Sequence, residues 1–168
     1  MPPLITTFVE MTNYSQFRPA YLNDPDITVM EAKYSLPGFY RFLYSAVGRD
    51  YVWNERLTWT DQQLYDYLSS LDVSVWVLYY QGTPAGFIEL LRKSQEPGLE
   101  IKYFGLIGAF HGRGLGKHLL SFGVQRAWDE KPERVWLHTC TDDGPYALAN
   151  YQKRGFSIYK QVTEPNPT

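Results

Sequence analysis

The segment Glu100-Ile-Lys-Tyr-Phe-Gly-Leu-Ile-Gly-Ala-Phe-His-Gly-Arg-Gly-Leu-Gly-Lys-His-Leu-Leu120 constrains this chain more than any other. It passes from a strand-like apolar run, through a turn rich in glycine, into the apolar spacing of an amphipathic helix. Gly112, Gly114 and Gly116 leave that turn without Cβ atoms, so successive backbone N–H groups can converge on an anion. The helix that follows adds its own unpaired N–H groups and the positive end of its dipole. Strand, cradle and helix together suit a phosphate or pyrophosphate and point to an α/β layout.

Two familiar phosphate loops fail on spacing. A Walker A loop requires glycine five positions before the Gly-Lys pair and a hydroxyl after it; here His111 and His118 occupy those positions. A dinucleotide fingerprint requires a third glycine where Lys117 stands. What remains, His-Gly-Arg-Gly-Leu-Gly-Lys117, resembles the pyrophosphate loop of the GNAT superfamily of acetyl-CoA-dependent N-acetyltransferases. That loop reads Gln/Arg-x-x-Gly-x-Gly/Ala between a strand and a helix. Gly114 and Gly116 match its small positions, and His111 stands at the Gln/Arg position.

A second block supports the resemblance. GNAT proteins carry Ala-x-x-x-Tyr-x-x-x-Gly-Phe on the helix after a late strand, and Ala147, Tyr151, Gly155 and Phe156 match it in order. Gly144 stands where the family often has asparagine. The resemblance implies acetyl-CoA as acyl donor, held by Phe104, Leu106, His111, Gly112, Arg113, Gly114, Leu115, Gly116 and Lys117. It also implies that a backbone N–H near Leu106 polarises the thioester carbonyl, as an oxyanion donor does.

Transfer to an amine requires removing a proton from an alkylammonium of pKa near 10.4, a cost of about 4–5 kcal/mol at pH 7. A base at the acceptor and an acid at the departing thiolate therefore help. By resemblance to the histone-acetyltransferase branch, Glu100 is the leading base candidate, on the strand entering the phosphate loop; a solvated glutamate at a strand start is the alternative. Tyr151 matches the family tyrosine whose hydroxyl lies near the CoA sulfur, with core packing as the alternative. His138 and Asp142 compete as base or amine-binding groups. The resemblance implies that the aromatic segment before the matched blocks lines the acceptor site: Tyr51, Trp53 and Trp59, with Glu55 and Asp61 as possible partners of a cation, are candidates there, as is His138. Phe39 and Phe42 read as core.

The implied function is acetyl transfer from acetyl-CoA to a primary amine of a small molecule or peptide by direct attack in a ternary complex. Alternatives are a longer acyl-CoA, governed by the space near Phe104 and Tyr151, or a non-catalytic acyl-CoA sensor. The net charge of −2 argues against a nucleic-acid partner. A single cysteine, Cys140, excludes an intrachain disulfide and reads as an inert strand thiol. With three histidines and no paired ligand spacing, no metal is expected. No apolar run is long enough to span a membrane and the N-terminus lacks signal-peptide features, so a cytoplasmic monomer or homodimer is expected.

The 168 residues predict one domain, 1–168. Strands are expected at 5–11, 27–34, 73–80, 85–91, 99–106, 134–141 and 156–162. Helices are expected from Leu36-Pro37 with Ser35 as N-cap and an apolar face of Phe39, Phe42, Leu43 and Ala46. Further helices are expected after Thr60 (bearing Leu64, Tyr65, Tyr67 and Leu68), over 117–130 and over 145–154. A polar tail, 164–168, is expected to fray. This order predicts an α/β fold with a GNAT-like mixed, mostly antiparallel central sheet flanked by helices, plus an extra N-terminal strand.

Overall fold

Alternation of β-branched and aromatic residues places seven strands: β1 (Leu4–Met11), β2 (Ile27–Glu31), β3 (Val73–Tyr80), β4 (Thr83–Leu91), β5 (Leu99–Leu106), β6 (Val135–Cys140) and β7 (Ser157–Glu164). The computed structural model describes residues 2–165. Its strands form one sheet in the order β2-β3-β4-β5-β6-β1-β7, antiparallel at every junction except β5–β6. The helices are α1 (Pro37–Gly48), α2 (Asp61–Leu68), α3 (Leu115–Asp129) and α4 (Ala147–Lys153). The mixed, mostly antiparallel α/β sheet expected from the sequence is the fold adopted.

Period-two alternation sends successive residues of β3 and β4 to opposite faces, and each face has its own core. Val75, Val77 and Phe87 pack under α1 and α2, against Tyr40, Leu43, Tyr44, Val47 and Leu64. Leu78, Ile88 and Leu90 pack under α3, against Leu115, Leu119, Leu120 and Val124. The β3–β4 turn is tight because Gln81 and Gly82 both adopt positive φ (51° and 76°), as a type I′ hairpin requires. Thr60 caps α2 through a capping box with Gln63.

Several local expectations are corrected. Leu36, not Ser35, is the N-cap of α1, and no side chain caps it. The buried face of α1 is Tyr40, Leu43, Tyr44 and Val47, so Phe42 is 50 % exposed, as is Tyr65 on α2. The expected additional N-terminal strand is integral to the sheet. β1 lies inside the sheet, pairing Thr6–Met11 with β6 and Leu4–Glu10 with β7, with Val9 and Met11 fully buried. Glu164, expected in the tail, pairs with Leu4 as the last residue of β7; 166–168 lie outside the described residues.

One irregularity positions the site. β5 and β6 pair only at Leu99–Val135 and Glu100–Trp136 and then separate. Near that point β5 carries an extra residue, since Glu89 and Leu90 of β4 face Tyr103 and Ile101 with Lys102 between them. Such a bulge bends the strand and increases its twist. Beyond it, the β5 edge that faces β6 has no strand partner, so its N–H and C=O groups open onto a cleft.

Candidate active site

The cleft between β5 and β6 widens into a cavity of about 940 Å³. The glycine loop closes one end. Gly112 and Gly114 adopt positive φ (80° and 79°), and Gly114 is the N-cap of α3 with no side chain bonded to the exposed N–H groups. A Cβ built at Gly112 would meet nothing within 4 Å. This bare, N–H-rich approach beside a helix N-terminus suits a phosphate or pyrophosphate group. Phe104, Leu106, His111, Gly112, Gly114, Leu115, Gly116 and Lys117 all line the cavity. Arg113 does not; its guanidinium lies 5.5 Å from the Tyr80 ring centroid, because the left-handed turn points it away from the cleft. His111 is turned inward too: its Nε2 is 3.1 Å from the Leu106 carbonyl oxygen and 3.3 Å from the Tyr51 hydroxyl. It therefore ties the loop to β5 and to the opposite wall.

Tyr151, on α4, reaches the cavity from the β6 side and packs edge-on against Phe104 and Phe156. Its hydroxyl has no hydrogen-bond partner among the described residues, so it is free to donate to a ligand. Burial, reinforced by the negative charge of Asp143, pushes its phenol above the ordinary tyrosine value. A phenol held protonated suits a proton donor. Asp143 is held in place by Thr139 Oγ1 (2.7 Å) and the Cys140 N–H (2.9 Å).

Glu100 does not line the cavity. Only 2 % exposed, it accepts a hydrogen bond from Ser94 Oγ and approaches His138 Nε2 at 4.0 Å. The parallel pairing puts Glu100 opposite Trp136, and His138 two residues on stands between Glu100 and the cavity. Glu100 is therefore not the solvated glutamate of the alternative reading, and of the two it is His138 that lines the cavity. Asp142 lines the cavity as well. Cys140, expected to be an inert core thiol, is half-buried on the same wall, and burial raises its thiol pKa.

On the third side, Tyr44, Tyr51, Trp53 and Tyr103 line the cavity together with Glu55. Trp53 anchors this wall on Tyr103 (centroids 4.9 Å apart) and Tyr44 (5.6 Å). Trp59 and Asp61 are elsewhere: Asp61 pairs with Arg41 at 2.9 Å, and Trp59 lies over the Arg56 guanidinium. Arg56 is a feature that sequence reasoning missed. Its Nη1 lies 2.7 and 2.9 Å from the Glu89 carboxylate oxygens, and both side chains are almost wholly buried. Burial disfavours its charge, but Glu89, Tyr40 and Tyr67 outweigh this and push its pKa up. A glutamate inside the apolar run Ala85-Gly-Phe-Ile-Glu-Leu-Leu91 was the available signal.

Among the described residues no cluster of three or more potential ligands could hold a metal, and no helix is long and apolar enough to cross a membrane. His118 is a local anchor, its Nδ1 accepting from the Leu22 N–H at 3.0 Å.

Residues 40–156 match the acetyltransferase (GNAT) family. The chain is 37 % identical over 62 residues to mycothiol acetyltransferase of Corynebacterium aurimucosum, covering 37 % of this chain and 20 % of that protein. Its fold resembles that of a GCN5-related N-acetyltransferase from Sphaerobacter thermophilus (TM-score 0.68, 16 % identity, 97 % of this chain and 51 % of that one). It also resembles an aminoglycoside acetyltransferase from an uncultured soil metagenomic sample, in complex with trehalose (TM-score 0.67, 20 % identity, 86 % and 97 %). The chain thus spans a fifth of the mycothiol acetyltransferase and about half of the Sphaerobacter protein.

Proposed function

The chain belongs to the acetyltransferase (GNAT) family, and on that premise we propose that it moves an acetyl group from acetyl-CoA to a primary amine of a small molecule or peptide, by direct attack in a ternary complex. The observation that carries this reading is the convergence in one cleft of an N–H cradle, a protonated buried phenol and an exposed imidazole. We read the chain as one catalytic domain acting in this way.

Acetyl-CoA, when bound, supplies an activated thioester whose C–S bond breaks as the amide C–N bond forms. The glycine loop and the start of α3 bind its pyrophosphate through backbone N–H groups. The unpaired edge of β5 near Leu106 hydrogen-bonds the extended arm and orients the carbonyl. The acceptor ammonium must lose two protons to become an amide N–H. His138 takes the first and frees the amine to attack; Glu100, behind it, faces the charge that the ring gains and acts as a positioning residue. Tyr151 gives its proton to the departing sulfur, and the second proton shed by the nitrogen restores the phenol.

Purified protein is assayed with acetyl-CoA against a panel of primary amines for CoA release. Release with at least one amine, lowered about tenfold or more in His138→Gln at pH 7 and less at pH 9–10, where free amine is plentiful, supports the reading. CoA binding without release from any amine would move the chain to the sensor class.

A further inference from the structure

The connection from Arg49 to Thr60 between α1 and α2 contains one buried residue, and that residue is charged: Arg56, 2 % exposed. Its guanidinium gathers four elements. Glu89 comes from β4, Tyr40 from α1, and the rings of Tyr67 (α2) and Tyr103 (β5) lie 4.2 and 4.6 Å from its central carbon. Burying an ion pair is costly, and the best-attested return is a fixed geometry. What Arg56 fixes is the adjacent residue, Glu55.

Glu55 is exposed, lines the cavity, and takes part in no ion pair among the described residues. Its carboxylate accepts one hydrogen bond, from the Tyr103 hydroxyl at 2.8 Å. Burial and the hydrogen bonds to Tyr44 and Glu55 hold the Tyr103 phenol above its ordinary pKa, so it remains a donor. Tyr103 therefore has two duties: its ring lies under Arg56 and its hydroxyl aims the carboxylate. The Trp53 ring lines the same cavity wall, its centroid 4.9 Å from that of Tyr103. An unpaired, oriented carboxylate on a wall that also carries aromatic rings suits a cation on an apolar stem.

We propose that Glu55 is the specificity-determining residue of the acceptor site, and that it selects a positively charged group carried on an aromatic or other apolar body. This rests on the acetyl-transfer reading, since the cavity that Glu55 lines is the one in which that reading has the transfer take place. Arg56 and Tyr103 are positioning residues for it.

The probes are phenethylamine, a cation on an aromatic stem, and 2-phenylethanol, its neutral counterpart. Each is titrated by calorimetry at pH 7 into wild type and Glu55→Gln, with and without saturating CoA. Glu55 is exposed, so the variant is expected to fold. Wild type should prefer the amine by about tenfold or more, the scale of one hydrogen bond to a charged group, and Glu55→Gln should reduce that preference to below about threefold while leaving CoA affinity within about twofold. Equal binding of the two probes by wild type, or a preference that survives in Glu55→Gln, would overturn the proposal. Loss of CoA binding, or CoA release from no amine, is read in separate measurements and would instead count against acetyl transfer.

Discussion

Replacing Arg56 by methionine tests how the acceptor wall is held. Methionine retains much of the aliphatic volume, so the cavity left behind is small. What disappears is the guanidinium, which lies 2.7 and 2.9 Å from the two oxygens of a carboxylate with no exposed surface. Breaking a buried pair by removing one partner costs about 3–5 kcal/mol, because the other charge is stranded. Glu89 keeps two donors, the hydroxyls of Tyr40 at 2.6 Å and Tyr67 at 2.5 Å, so the lower end applies, about 3 kcal/mol. For a chain of this size that corresponds to a fall in Tm of roughly 6–12 °C. The assay is urea and thermal denaturation of four proteins: wild type, Arg56→Met, Glu89→Gln and the double variant. Because the double variant leaves no unpaired charge, its loss should be smaller than the sum of the single losses by about 1–2 kcal/mol or more. A loss below about 1 kcal/mol in Arg56→Met, or simple additivity, would refute the argument that the buried pair fixes this wall.

Other expectations follow from the same geometry. Gly114→Asp places a Cβ and a negative charge on a residue at φ 79° in the loop, and acetyl-CoA affinity measured by calorimetry should fall about tenfold or more. Tyr151→Phe should lower turnover by about ten- to a thousandfold with cofactor affinity little changed. Because burial raises the Tyr151 pKa in the folded state, the stability linked to it is fully present below the unfolded value and is lost as pH rises from there through the folded one, while the folded-state phenol keeps its proton over that window. The kcat–pH profile of wild type should therefore show no alkaline fall from this group up to about pH 10. Gly155→Ala should destabilise the fold by about 2–4 kcal/mol in urea melts, since φ is +109° and the new Cβ would overlap the Gln16 carbonyl oxygen.

The sequence by itself determined the features that depend on neighbours along the chain. The glycine loop, the strand before it and the helix after it are one continuous segment. Positive φ at Gly112 and Gly114 follows from residue type, and Thr60 with Gln63 forms its capping box from four consecutive residues. The match of Ala147 to Phe156 to the family pattern likewise singles out Tyr151, which lines the cavity, and the hairpin at Gln81-Gly82 needs only local turn chemistry.

Tertiary structure decided whatever depends on two strands meeting or parting. Glu100 and His138 are 38 positions apart in numbering, and only the short parallel register brings them within 4.0 Å, with Glu100 buried and His138 on the cavity. The insertion of β1 between β6 and β7 rests on long-range pairing that periodicity cannot report, because an alternating strand fits several places in a sheet. Trp59 and Trp53 looked equivalent as aromatics in a polar connection; one packs on a guanidinium and the other lines the cavity. Arg56 and Glu89 were invisible as a pair because a charge in sequence reads as surface, and its burial becomes tolerable only when a partner and two hydroxyls from three other elements close around it.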